Sequence, residues 1–207
     1  MAMEKTERGW RGTPDLWLDA AYGLLVEGGV EAVKIMPLAD RLGLSRTSFY
    51  WHFADREALL AGLVERWKAK NTGNLVARCE TSAATISEAM LNLFDCWYDD
   101  ALFDSRLEFA MRTWALTDAG VAAAMSAADA ERVAAITALF RRFGYSESEA
   151  DTRARTLYLT QVGYIALRSE ESLEIRMARN PAYVLTFCGT APTEAEIAAF
   201  RARHGVR

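Results

Sequence analysis

Histidine, proline and cysteine are all scarce. The 207 residues hold two His, four Pro and three Cys. The histidines, at 52 and 204, are far apart in the chain, and no G-x-S-x-G, P-loop or H-E-x-x-H pattern accompanies them. That argues against the common hydrolases, nucleotide-binding enzymes and zinc proteases. Carboxylates such as Asp95, Asp99 and Asp100 suit a solvated helix surface better than an acid–base pair. Cys79, Cys96 and Cys188 are odd in number and never spaced C-x-x-C, which disfavours a disulfide framework or a zinc site. Buried structural thiols, a reducing cytoplasm, and no metal or cofactor are the expectation. So few prolines favour long uninterrupted helices. The longest uncharged runs, 156–167 and 180–193, fall short of the ~20 apolar residues of a membrane span. Residues 1–11 are polar and lack the apolar core of a secretory signal. A positive surplus is missing too: the net charge of −4 disfavours a protein that coats nucleic acid by bulk charge. The first 70 residues are electrically balanced and contain every lysine (5, 34, 68 and 70), so the acidic excess lies beyond them.

Helical periodicity runs through almost the whole chain. Trp17, Ala20, Ala21, Leu24 and Leu25 make one face of an amphipathic helix. Thr13 caps it, Pro14 opens it and Gly28-Gly29 ends it. The spacing predicts a short helix from Pro37 to Leu42, another from Ser45 to Trp51, and a long one from Asp55 towards Ala77. An apolar stripe from Ile86 to Tyr98 predicts the next. Helices at about 105–116, 119–143 and 146–169 follow, with Ser146 and Glu149 as a capping box. Beyond Ser169 the pattern predicts two or three shorter helices, broken at Asn180-Pro181 and at Gly189–Pro192. No alternating strand pattern with hairpin chemistry and no internal repeat is present. The fold class is therefore all-α.

The segment Met36-Pro-Leu-Ala-Asp-Arg-Leu-Gly-Leu-Ser-Arg-Thr-Ser-Phe-Tyr-Trp-His-Phe53 has the logic of a helix-turn-helix. Leu38, Ala39 and Leu42 supply a buried face, and the small Ala39 lets a second helix cross closely. Gly43 allows a sharp turn that Leu44 plugs, and Phe49 and Phe53 anchor the second helix. Arg46, Thr47, Ser48, Tyr50 and His52 remain on display, a hydrogen-bonding surface suited to a major groove.

These residues carry a resemblance. Residues 17–60 resemble the DNA-binding domain of the tetracycline-repressor (TetR) family of bacterial transcriptional regulators. The resemblance rests on Trp17 through Val30, then Leu38-Ala39, Gly43-Leu44-Ser45, Ser48 through Phe53, and Asp55 through Leu60. It implies a three-helix DNA-binding domain at 1–60, with residues 1–12 a flexible arm. A helical effector-binding and dimerisation domain would occupy 61–207. It implies that Ser45, Arg46, Thr47 and Ser48 read bases and nearby phosphates. Tyr50 and His52 stand where the family binds phosphate, Arg56 where it usually has Lys, and Lys34 where it usually has a phosphate-touching Thr. Pro37 and Phe49 also depart from the usual pattern, and neither threatens the fold. Trp51 suits a DNA contact and packing on the first helix equally. Basic residues 5, 8 and 11 suit a disordered terminus or an arm that reaches DNA.

Beyond residue 75 no comparably sharp motif exists. The resemblance implies a homodimer, a palindromic double-stranded operator and a small, mainly apolar effector that releases the protein from DNA. The helix at 146–169 is apolar on nearly every side between Leu157 and Leu167, which fits packing against a second copy through it and a segment near 181–188. Phe94, Trp97, Met111 and Trp114 suit either a ligand cavity or a packed core. Tyr158, Gln161 and Tyr164 are the candidate polar handles, each with a core or interface role as its alternative. A helical protein-interaction module with a weak DNA face is the competing function.

Overall fold

A computed structural model describes residues 11–206. Its described residues form helices and connecting turns without a strand. Helix α1, Pro14–Gly28, starts where Thr13 accepts the Leu16 amide and stops where Gly29 takes φ 75°. A single 3₁₀ turn, Val30–Ala32, leads to α2, Ile35–Leu42. The expected start at Pro37 is two residues late. Pro37 sits within the first turn, where an N–H has no helical partner anyway. Gly43 is left-handed (φ 63°), and the Leu44 amide reaches back to the Ala39 carbonyl at 2.9 Å, closing the turn to α3.

Regular helix in α3 covers only Arg46–Phe49, shorter than the predicted 45–51. Tyr50 to Phe53 follow in a tightened turn, with the His52 amide on the Phe49 carbonyl at 2.9 Å. Phe49 is fully buried, edge-on to Trp17 (5.4 Å between centroids) and stacked on Phe53 (5.5 Å). These aromatic contacts fix the segment that the short ladder leaves weak.

Asp55 caps α4, Arg56–Trp67. The backbone stays right-handed through a wide π turn, Lys68–Gly73, into α5, Asn74–Glu80. The long helix expected to Ala77 is thus present, with a bulge inside it. The boundary expected at residue 60 falls within α4. The bulge turns Asn71 and Thr72 inward. Asn71 donates to the Asp104 carbonyl (3.1 Å) and to Glu108 (3.0 Å), and Thr72 accepts from Arg132 (2.9 Å). Polar side chains facing the core at a π turn explain its widening.

The rest of the chain comprises α6 (Ile86–Tyr98), α7 (Ser105–Ala115), α8 (Ala119–Arg142), α9 (Glu147–Ala166), α10 (Leu173–Cys188) and α11 (Glu194–Arg203). Helix α10 runs through Pro181, so the break expected there does not occur. The missing N–H costs one hydrogen bond. Burial of Met177, Val184, Phe187 and Cys188 on one face, and a 2.9 Å bond from Tyr98 to Asn180, hold the helix across it.

Two cores result. One joins Trp17, Leu25, Leu38, Phe49, Leu59 and Leu63 to Met111, Trp114 and Met125, so α7 and α8 share the core of the N-terminal helices. The other packs α6, α8, α9, α10 and α11 together. All three cysteines are free and buried, and burial pushes the Cys96 and Cys188 thiols up to about 12. No described helix is long and apolar enough to cross a membrane.

Candidate DNA-recognition face and effector cavity

Ser45 begins the recognition face as an N-cap. Its hydroxyl accepts the Ser48 amide at 3.2 Å and lies 3.0 Å from the Ser48 hydroxyl. Ser48 is buried by this arrangement, whereas Ser45, Arg46 and Thr47 are exposed. Arg46 donates to the Tyr50 hydroxyl at 3.0 Å, one turn on. Trp51 is 62% exposed, and the Arg11 guanidinium lies 3.7 Å from its ring centroid. The Arg11 carbonyl accepts from the Trp17 indole at 3.2 Å and lies 3.3 Å from His52 Nε2. Arg11 thus bridges α1 and the end of the recognition segment. Residues 5 and 8 of the expected arm lie outside the described residues.

Lys34 is exposed at the start of α2. Lys34, Arg46 and Arg11 form no ion pair with the described residues. Arg56 differs. Its guanidinium donates to the Val33 carbonyl (2.6 Å) and the Val30 carbonyl (2.8 Å), and sits 3.7 Å from Glu57. It ties α4 to the turn after α1 rather than standing free on the surface.

A cavity of about 810 Å³ opens between α6, α7, α9 and α10. Phe94, Trp97, Trp114, Gln161 and Tyr164, which the sequence leaves open between a cavity and a core or interface, line it. Met111 does not. It is fully buried in the core shared with the N-terminal helices. Tyr158 does not either. Its hydroxyl turns instead to α8, where it meets Arg132 at 3.0 Å and Asp129 at 2.6 Å. Sequence reasoning missed Tyr183, Phe187 and Arg176 on α10, together with the wall formed by residues 25–31.

Tyr158 belongs to a buried ionic cluster that sequence reasoning also missed. Arg132 and Glu108, both fully buried, pair at 2.8 Å. Glu108 also accepts from Trp67 (2.7 Å) and pairs with Arg112 (2.9 Å). Arg112 reaches Asp129 at 2.6 Å, and Tyr158 donates to Asp129 at 2.6 Å. Burial pushes the Glu108 carboxyl up, but Arg132 and Arg112 more than offset this, so it lies below its ordinary value. The signal was present: Arg132 falls on the buried stripe Val121, Met125, Ala128, Ile136 of α8, where only a paired cation is tolerated.

Residues 18–63 match the family model of bacterial regulatory proteins, tetR family. The helix-turn-helix domain belongs to this family. The tetracycline repressor protein class A from transposon 1721 of Escherichia coli is 39% identical over 67 residues, 32% of this chain and 31% of that protein. The match therefore spans about a third of that relative, confined to the DNA-binding end. Solved structures extend the likeness over the whole TetR-like fold. AmtR of Mycobacterium smegmatis is 18% identical with a TM-score of 0.63, covering 98% of this chain and 99% of its own. A transcriptional regulator from Rhodococcus sp. Rha1 is 20% identical with a TM-score of 0.60, covering 93% and 97%. At these identities the likeness concerns architecture alone: an N-terminal TetR-like domain on an all-helical C-terminal domain.

Proposed function

We propose that this protein is a sequence-specific transcriptional regulator, a repressor that leaves its operator when a small molecule enters the cavity. The observation that carries the reading is the recognition face itself. Arg46, Tyr50, Trp51 and Arg11 form a contiguous exposed set in which the cations lie against aromatic groups and form no ion pair with the described residues. Such a surface suits phosphate and base edges. Ser45, Thr47 and His52 complete it. Lys34 adds a phosphate contact at the start of α2. Ser48 and Arg56 act behind the surface, one through the cap and the other through the Val30 and Val33 carbonyls.

Two-fold pairing through α9 and α10 follows from their outward faces. Leu159 is 63% exposed and Leu185 49%, and the face at Gly163 is open. A homodimer closed there would present two recognition segments to a palindromic site.

The cavity reaches the DNA-binding helices directly, because residues 25–31 at the end of α1 form part of its wall. Glu27 in that wall makes a bidentate pair with Arg41 of α2, both contacts at 2.8 Å, and Arg56 holds the Val30 carbonyl to α4. An occupant pressing on this wall acts on the segment that positions α2 and α4. It shifts DNA affinity only by as much as its own affinity differs between the two states.

The test is selection of bound duplexes from a random pool at two salt concentrations. A palindromic site with strong salt dependence is expected. No enriched site at low salt, from folded dimeric protein, would sink the regulator reading and favour a protein-interaction role.

A further inference from the structure

The charged groups around the cavity are not equally solvated. Glu27 is spent on Arg41, and Glu171 on Arg179 at 2.5 Å. Asp100, Glu31 and Glu170 lie on the exposed rim, where water screens them. Arg106 and Arg168 also line the cavity but are exposed, whereas Arg176 is partly withdrawn from water. It is half-buried on α10, its guanidinium 4.5 Å from the Tyr98 ring centroid, with one nitrogen donating to the Trp97 carbonyl at 2.6 Å. It forms no ion pair with the described residues. A guanidinium carries five N–H donors in a planar fork, and most of these are unspent. A cation partly withdrawn from water without a counter-ion favours an anion beside it.

The wall next to Arg176 is aromatic. Phe94 lies 5.5 Å from Trp97 and 6.5 Å from Phe187, and Tyr183 stacks on Phe187 at 5.7 Å with planes 6° apart. These flat faces suit a ring more than a flexible alkyl chain. The Tyr164 and Tyr183 hydroxyls, 2.5 Å apart, and the Gln161 amide, which makes no hydrogen bond to the described residues, offer further polar contacts.

Resting on the effector reading above, we infer that the effector is an aromatic acid, its ring among Phe94, Trp97, Tyr183 and Phe187 and its carboxylate on the Arg176 guanidinium. A cationic aromatic would meet the unpaired Arg176, while the one half-buried carboxylate of the lining, Glu171, is already paired with Arg179. A neutral one would leave the fork unpaired.

Calorimetric titration of the full chain with 2-naphthoate, 2-naphthamide and 2-naphthylmethylammonium tests this, because the three share a ring and differ in charge. The carboxylate should bind about tenfold or more tighter than the amide, the range of a charged hydrogen bond. Arg176→Gln should abolish that preference, bringing carboxylate and amide affinities together, and Arg176→Lys should restore part of it. Amide or ammonium binding as tightly as carboxylate overturns the inference. So does a preference that survives Arg176→Gln, or no binding by any of the three. Should Arg176→Gln not fold by circular dichroism, the wild-type ranking and the lysine variant decide alone. Duplex selection is read separately. Loss of DNA binding there removes the regulator reading without touching the anion preference, and anion discrimination can fail while DNA binding stands.

Discussion

The molecule holds two groups of arginines used in opposite ways. On the recognition face, Arg46 and Arg11 are exposed against aromatic groups with no carboxylate partner among the described residues. At the junction of α4, α7 and α8, Arg132 and Arg112 are matched by Glu108 and Asp129, with Trp67, Asn71, Thr72 and Tyr158 filling the remaining hydrogen bonds. The difference separates charge reserved for a partner from charge consumed in the fold. A buried pair gives little net stability when complete, because desolvation offsets attraction. Breaking it is costly, because one charge is left behind. An exposed unpaired cation costs almost nothing to remove from the fold and much to remove from binding.

The largest expected effect comes from the inner group. Arg132→Met leaves Glu108 buried with Arg112 as its remaining cation, and should cost about 3–5 kcal/mol. For a chain of this size that lowers the melting temperature by about 10 °C. Adding Glu108→Gln should recover part of the loss, since no unpaired charge then remains. Thermal melts of the two variants check both statements. Operator affinity below the melting range should be unchanged, which is the point of contrast with Arg46. Acid sharpens the same test. Burial raises the Glu108 carboxyl and the two arginines lower it further, for a net depression. Its contribution is therefore complete above the ordinary carboxyl value of 4.5 and is lost as pH falls through the lower folded value. The stability gap between wild type and Glu108→Gln should shrink below about pH 4.5. A gap that widens there would contradict the pairing.

Two arginines within ten residues of each other give the next contrast. Arg46→Ala should leave the melting temperature nearly unchanged and cost about 1–3 kcal/mol of discrimination at one base position. Arg56→Ala should do the reverse. It removes donors from the Val30 and Val33 carbonyls and should destabilise by about 1–3 kcal/mol, with the salt slope of DNA binding unchanged. If Arg56→Ala lowers that slope by about one, Arg56 touches phosphate after all.

The helix-turn-helix geometry is legible in the sequence because its determinants are local. Caps at Thr13, Ser45 and Asp55, the left-handed Gly43 and the plug at Leu44 all act within a few residues of their partners. The cavity was half legible. Periodicity identifies a buried residue without saying which neighbour buries it, so it does not separate Met111 and Tyr158 from Trp114 and Gln161, which line the cavity. Arg176 and the wall at residues 25–31 join the cavity only through tertiary packing. Arg132 and Glu108, 24 residues apart, are each unremarkable alone and meaningful only as a pair. Pro181 shows the converse: a strong local signal for a break, overridden by burial on one face of α10.

Ser45 blurs the line between the two uses of polar groups, since it caps α3 and also faces outward. Ser45→Ala should cost about 1 kcal/mol of stability, the usual loss for an N-cap. That small effect also loosens the segment carrying Arg46 and Thr47, so weakened DNA binding by this variant does not separate contact from cap. Ser45→Asp does. Aspartate caps as well as serine, and its charge complements the helix N-terminus, so the melting temperature should hold or rise slightly. The same carboxylate placed against a phosphate repels it, and operator affinity should fall further than in Ser45→Ala, with the loss reduced at high salt. If Ser45→Asp instead bound DNA as well as wild type does, Ser45 would be a cap alone. The DNA surface of α3 would then begin at Arg46.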